Sequence, residues 1–268
     1  ALTAAIASDH PLILLCVFEK TADTFRNASQ AWLNESLKSL SKNIASKGGH
    51  LLLFEGDPVS IIEELVRQHQ VTKVFCNQHF DPDSLNQEKL LTTMLSNHGA
   101  ALHLFNGYLL SHPDLIKTRS NEIYKVFTPF WRRLSPDINP FLRLDSPPAT
   151  LSCYSSILET DRPIARELPL NYPQWACSLL QSWSPGETGA HKRLTDFIEH
   201  DLHGYSSSRD YPAADTTSRL SPHLLWGEIA PWRVWHEVTQ AHLHFKTPLN
   251  DCECFCRELG WREFAHYL

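Results

Sequence analysis

The sequence predicts an α/β domain built on a parallel sheet, followed by an all-helical domain, and three observations carry that expectation. Short apolar runs alternate with helical periodicities in the N-terminal part, a proline-dense stretch without periodicity follows, and helical signals then continue to the last residue. Leu12 to Phe18 is a near-continuous apolar run, and Leu51 to Phe54, Lys73 to Cys76 and Ala101 to Phe105 are shorter ones. Each reads as a strand buried on both faces. Between them Leu33, Leu37, Leu40 and Ile44 recur at helical spacing, as do Ile61, Ile62, Leu65 and Val66, then Leu90, Leu91, Met94 and Leu95. The order βαβαβαβ demands parallel strands with right-handed crossovers.

From Ser135 to about Pro185 the periodicity fades and proline stands at 136, 140, 147, 148, 163, 169 and 173, the composition of an extended connector. Beyond it Ser184-Pro185-Gly186-Glu187 reads as an N-cap, a proline at the first helical position and a glutamate closing a capping box. The helix that follows has the apolar stripe Ala190, Leu194, Phe197, Ile198 and Leu202, and further helices are expected from Pro222 and Pro231. The expected division is therefore 1–134 for the α/β domain, 135–184 for the connector and 185–268 for the helical part. No internal repeat or low-complexity tract is evident.

Bulk properties narrow the class. The 268 residues are 42% hydrophobic and 20% charged, a globular profile, and no apolar stretch approaches the roughly 20 residues a bilayer span needs. The Ala1 to Ala7 segment lacks the basic flank of a signal peptide. Seven cysteines scattered through a long chain read as reduced thiols, which suits a cytoplasmic setting. A net charge of −6 argues against indiscriminate polyanion binding, so any contact with DNA requires a local basic patch.

Two segments invite chemistry. There is no Walker loop and no GxGxxG after a strand, but Thr216 to Ser221 supplies hydroxyl donors and Arg219 just before Pro222, a workable phosphate cradle at a helix start. The same residues also read as an ordinary helix cap with a surface ion pair. On the last helix Glu258, Trp261 and Arg262 stand at i, i+3 and i+4 and share a face, where an indole plane beside a carboxylate and a guanidinium can stack on a base and read its polar edge. An amphipathic helix with an internal Glu–Arg pair and a core tryptophan has the same spacing. Cys252, Cys254 and Cys256 cannot converge on a metal from one helix, since alternate residues point about 200° apart. His236, His242 and His244 lack the spacing of a zinc site, and no nucleophile triad has local support.

The run Gly204-Tyr205, Arg209-Asp210-Tyr211-Pro212-Ala213, Thr217-Ser218-Arg219-Leu220-Ser221-Pro222-His223-Leu224, Gly227-Glu228-Ile229-Ala230-Pro231 and Glu258-Leu259-Gly260-Trp261-Arg262-Glu263-Phe264 resembles the flavin-binding core of the cryptochrome/photolyase family. Tyr124-Lys125-Val126-Phe127-Thr128-Pro129-Phe130 resembles that family's motif at the end of its Rossmann-like, antenna-binding α/β domain. The resemblance implies a helical domain that binds FAD, with Tyr205 and Thr217, Ser218, Arg219, Leu220 and Ser221 at the cofactor and Arg262 beside the flavin cavity. Arg209 would meet a DNA phosphate. Glu258 and Trp261 would serve as catalytic residues facing a flipped-out pyrimidine dimer, with Arg262 at the same DNA-facing surface. The implied reaction is light-driven repair of cyclobutane pyrimidine dimers by an electron from reduced FAD, carried out by a monomer on damaged DNA.

By the same resemblance the family's opening strand would precede Ala1 and the second half of its FAD domain would follow Leu268. This chain alone is then expected to hold FAD poorly. An antenna pigment, folate or deazaflavin, is left open: Asp83-Ser84 stands where folate-binding relatives keep an Asn-Glu pair. The competing readings are a cryptochrome, a light receptor of the same fold without repair, and a nucleotide-binding α/β protein with a helical docking domain.

Overall fold

The computed structural model describes residues 1–18, 28–138, 147–154 and 174–268. They form two compact units, Ala1–Phe105 with Ser146–Glu187, and Asn106–Asp145 with Thr188–Leu268. Much of the expected connector, including the prolines at 140, 163, 169 and 173, lies outside the described residues.

In the first unit the four apolar runs are strands: β1 Leu14–Phe18, β2 Leu51–Glu55, β3 Lys73–Asn77 and β4 Ala101–Phe105. All pairing is parallel, β1 with β2 from Leu14↔Leu51 to Phe18↔Glu55 and β3 with β4 from Lys73↔Ala101 to Asn77↔Phe105. Among the described residues the ladders form two separate pairs. That arrangement corrects the expectation that every strand is buried on both faces: only β2 carries fully buried residues, Leu52, Leu53 and Phe54. A two-stranded pair has an edge on each strand, so the other runs keep partial exposure.

The helices described in this unit are α1 Leu2–Ile6, α2 Ala28–Ala45, α3 Pro58–His69, α4 Pro82–Asn97 and, from the expected connector, α6 Gln174–Leu180. Both α3 and α4 open on an Asp-Pro step. Asp57 accepts the Ser60 N–H at 2.8 Å and Asp81 accepts the Ser84 N–H at 2.9 Å, while each proline occupies a position whose N–H would be unpaired anyway. Ile61 and Leu65 of α3 pack with Leu52 and Phe54, and Met94 and Leu95 of α4 pack with Val66 and Ala100.

The second unit is helical: α5 Phe127–Leu134, α7 Glu187–Asp196 (its first residue grouped with the other unit), α8 Tyr205–Ser208, α9 Ser221–Leu225, α10 Pro231–Phe245 and α11 Leu249–Tyr267. The expected stripe is its centre, since Ala190, Leu194, Phe197, Ile198 and Leu202 are all buried with Val234, Val238, Phe255 and Leu259. Two local expectations need correction, and one feature is unforeseen. The capping box at Ser184 does not form, because Gly186 sits at φ +104°, outside helical space, and α7 begins only at Glu187. A wide π turn at Phe197–Asp201, which apolar periodicity does not register, follows α7. Ser221 does not cap α9 but lies inside it; Leu220 stands before it without a side-chain cap bond.

Candidate functional site

All the singled-out residues of the helical part fall in the second unit, and contacts around α8 link several of them. Gly204, at φ +86°, lets the chain turn into α8. Asp251 of α11 accepts the N–H groups of Gly204 at 2.8 Å and Ser206 at 2.9 Å, so the short helix is capped from a neighbouring element. Burial acts to raise the Asp251 pKa, but the hydrogen bonds from Ser206 and Gly204 outweigh it and hold the carboxyl below its ordinary value.

That turn fixes Tyr205. Its ring is buried, edge-on to Phe197 at 5.7 Å and to Phe255 at 5.4 Å, and burial pushes its hydroxyl pKa up to about 12. The Arg209 guanidinium lies 5.6 Å from the Tyr205 ring centroid and forms an ion pair with Glu258. The hydrogen bond to Glu258 raises the Arg209 pKa still further, so this cation does not titrate. Glu258 therefore pairs across to α8's end rather than with Arg262 on its own helix.

Trp261 is 47% exposed, so the core-tryptophan alternative fails. One face of its indole is covered by Phe127 of α5, with ring centroids 3.7 Å apart and planes 11° from parallel. Arg262 turns inward: it donates to the Tyr108 carbonyl at 3.0 Å and to Glu263 at 3.2 Å, and lies over the Tyr108 ring at 4.4 Å. Glu263 is buried, accepts the Leu110 N–H at 2.7 Å, and burial raises its pKa to about 7 against the pull of Arg262.

The Ser/Thr turn is tied to the same cluster. Thr216 donates its hydroxyl to the Ser208 carbonyl at 3.3 Å, and Arg193 of α7 donates to the carbonyls of Thr217 at 2.8 Å and Ser218 at 2.9 Å. Arg219 takes φ +51° and pairs with Asp215 at 2.7 Å, while the Leu220 side chain is buried in the core and its N–H donates to the Ser218 hydroxyl at 3.4 Å. Thr217, Arg219 and Ser221 are exposed. Behind the turn a buried His223–Glu228 pair joins the start of α9 to the loop before α10.

Sequence reasoning did not find Arg193, Asp251, Tyr108 or the role of Phe127. Their partners lie 24 or more residues away, and no local spacing announces such a contact. Among the described residues no three His, Cys, Asp or Glu side chains gather as a metal site, and no helix is long and apolar enough to cross a membrane.

Comparison with known proteins agrees on one group. The family model for DNA photolyase matches residues 1–150. The deoxyribodipyrimidine photo-lyase of Agrobacterium fabrum is 37% identical over 268 residues, 100% of this chain and 55% of that protein. Cryptochrome-1 of Arabidopsis thaliana is 30% identical over 278 residues, 100% of this chain and 40% of that protein. The crystal structure of a class III photolyase from Agrobacterium tumefaciens superposes with a TM-score of 0.90 at 36% identity, covering 100% of this chain and 55% of that one. The chain thus spans about half the length of the curated relatives it matches.

Proposed function

Since the chain belongs to the DNA photolyase family, we propose that it supplies part of the FAD site and the lesion-facing surface of a light-driven enzyme that repairs cyclobutane pyrimidine dimers. The observation that carries this reading is a linked path within one compact unit: Thr216 of the Ser/Thr turn bonds the Ser208 carbonyl of α8, and the next residue, Arg209, lies over Tyr205 and pairs with Glu258. The turn suits a pyrophosphate in kind: its carbonyls at Thr217 and Ser218 are tied back by Arg193, and the hydroxyls of Thr217 and Ser221 belong to exposed residues. Tyr205, Thr217, Ser218, Arg219, Ser221 and the Leu220 backbone would hold FAD. Bound and reduced, FAD would supply under light the electron that opens the dimer and is then returned.

The chain's own residues have the complementary tasks. Trp261, backed by Phe127 on one face, offers the other face as a platform for an unstacked pyrimidine. Glu258 accepts a hydrogen bond from the base edge, and Arg209, released from Glu258 on binding, takes a backbone phosphate. Arg262, held on the Tyr108 carbonyl, fixes the turn of α11 that carries Trp261.

Mixing this chain with the polypeptide that follows the matching stretch in the Agrobacterium fabrum protein, FAD, a reductant and a thymine-dimer oligonucleotide tests the reading under blue light. Recovery of ultraviolet absorbance at the dimer is expected, and its loss in Glu258→Gln and Trp261→Ala. The 30% identity to a cryptochrome over the whole chain favours a second reading, a light receptor. Flavin binding without any dimer reversal would select it, and absence of flavin binding would overturn both.

A further inference from the structure

Arg193 is not in the Ser/Thr turn, yet it makes more hydrogen bonds to the turn's backbone than any residue within it. Its Nε donates to the Ser218 carbonyl at 2.9 Å and its Nη2 to the Thr217 carbonyl at 2.8 Å. These two nitrogens form one edge of the planar guanidinium, whose N–H vectors run parallel. Two successive carbonyls therefore point at one fork. In a trans peptide the N–H points opposite to the carbonyl of the same unit. Tying back the carbonyls of Thr217 and Ser218 thus turns the N–H groups of Ser218 and Arg219 to the loop's other side, where among the described residues neither finds a backbone acceptor.

The fork is itself held. Nη2 of Arg193 lies 3.6 Å from a carboxylate oxygen of Asp201, and the two side chains are only 25% and 23% exposed. Eight residues separate them, one more than two turns of an α-helix. The π turn at Phe197–Asp201 takes up about one extra residue, so Asp201 comes under the face that carries Arg193 while the apolar stripe continues to Leu202.

We propose that Arg193, braced by Asp201 across the π turn, is the positioning residue of the phosphate loop: it presents the Ser218 and Arg219 N–H groups to the pyrophosphate of FAD without touching the cofactor. The inference rests on the FAD reading above and deepens it. A lysine retains the charge but is a single point donor that cannot occupy two carbonyls in one plane, so charge and geometry can be separated.

The test uses the 268-residue chain, labelled with nitrogen-15, mixed with the unlabelled polypeptide that follows the matching stretch in the Agrobacterium fabrum protein and titrated separately with FAD, ADP and riboflavin while backbone amide shifts are followed. In the wild type FAD and ADP are expected to move the Ser218 and Arg219 amides. Arg193→Lys and Arg193→Gln are both expected to weaken FAD and ADP about tenfold while leaving riboflavin, which has no phosphate, within about twofold of wild type, the size of losing one pair of charge-assisted hydrogen bonds. Full retention of FAD affinity in Arg193→Lys, with loss only in Arg193→Gln, would mean that Arg193 acts by charge and would overturn the positioning role. Equal weakening of all three ligands would overturn it as well, in favour of a purely structural part. Wild-type affinity in both variants would do the same. A wild-type mixture that binds neither FAD nor ADP would instead overturn the FAD reading itself.

Discussion

Replacing Glu263 by Gln is expected to remove a pH dependence from the stability of the helical unit. Glu263 is buried under the Leu110 N–H, and burial moves its pKa from 4.5 to about 7 despite the neighbouring Arg262. The folded chain therefore keeps a proton that the unfolded chain releases between pH 4.5 and about 7. In that window the folded state binds more protons, so stability falls as pH rises, and the penalty is complete once pH exceeds the folded pKa. At about 1.4 kcal/mol for each tenfold in proton affinity, the whole difference is about 3 kcal/mol. Glutamine cannot titrate and still offers an oxygen to Leu110, so its stability curve lacks this component. Urea unfolding of the wild type and Glu263→Gln from pH 4 to 8, followed by circular dichroism, gives the difference between the two as a function of pH. The difference should shift by about 3 kcal/mol in favour of glutamine as pH rises. Parallel curves across the window would refute the reasoning, because they would place the folded and unfolded carboxyl in equivalent surroundings.

Gly260→Ala introduces a Cβ 2.4 Å from Cε3 and Cζ3 of Trp131, a clash the ring must move to escape; a loss of about 1–3 kcal/mol is expected, read as a lower melting temperature that a Trp131→Leu background restores. Asp251→Ala leaves the Gly204 and Ser206 N–H groups without their acceptor in a site only 3% exposed, and about 1–3 kcal/mol of stability should go with it in a thermal melt. Because the Asp251 pKa is depressed, the carboxylate's contribution is present above its unfolded value near about 4 and is lost on further acidification, so wild type and Asp251→Ala should converge at low pH. Glu258→Gln breaks a partly exposed ion pair with Arg209 and should shift the melting midpoint little, while lowering the preference for dimer-containing over undamaged oligonucleotide in a fluorescence-polarisation titration.

Where the sequence was legible, a single physical cause acted locally. The runs at Leu51 and Ala101 are strands because apolar residues in short blocks between helical periodicities have only the sheet in which to pair their backbone, and the structure starts and stops them within a residue or two. The stripe from Ala190 to Leu202 likewise became the centre of the helical core. What could not be read depends on partners distant in the chain. Gly186 at φ +104° defeats a capping box whose letters are all present, and the π turn at Phe197 leaves the apolar periodicity almost intact while shifting Asp201 by one position. The Glu258, Trp261, Arg262 triplet shares a helix as its spacing requires, yet each member's partner, Arg209, Phe127 or the Tyr108 carbonyl, comes from another element.

That division of labour bears on how such a site is built. Groups that would meet a ligand, the hydroxyls of the turn and the exposed face of Trp261, each lie in a short stretch with a recognisable motif. Groups that set their geometry do not: Arg193 acts on a turn 24 residues away, Asp251 on one 47 away, and Glu263 on a backbone N–H 153 away. Each of these supports is an ionisable side chain, at most a quarter exposed, bonded to main chain, and Arg193 and Asp251 are charged. Hydrogen bonds to charged groups are worth roughly twice neutral ones, and a backbone acceptor or donor persists whatever side chain it carries. Main-chain anchoring therefore lets the turn's side chains vary while its direction stays fixed. It follows that substitutions at Arg193, Asp251 or Glu263 should act at a distance, altering ligand affinity or stability through the loops they hold, whereas substitutions at the exposed Thr217 or Ser221 should act mainly on the ligand.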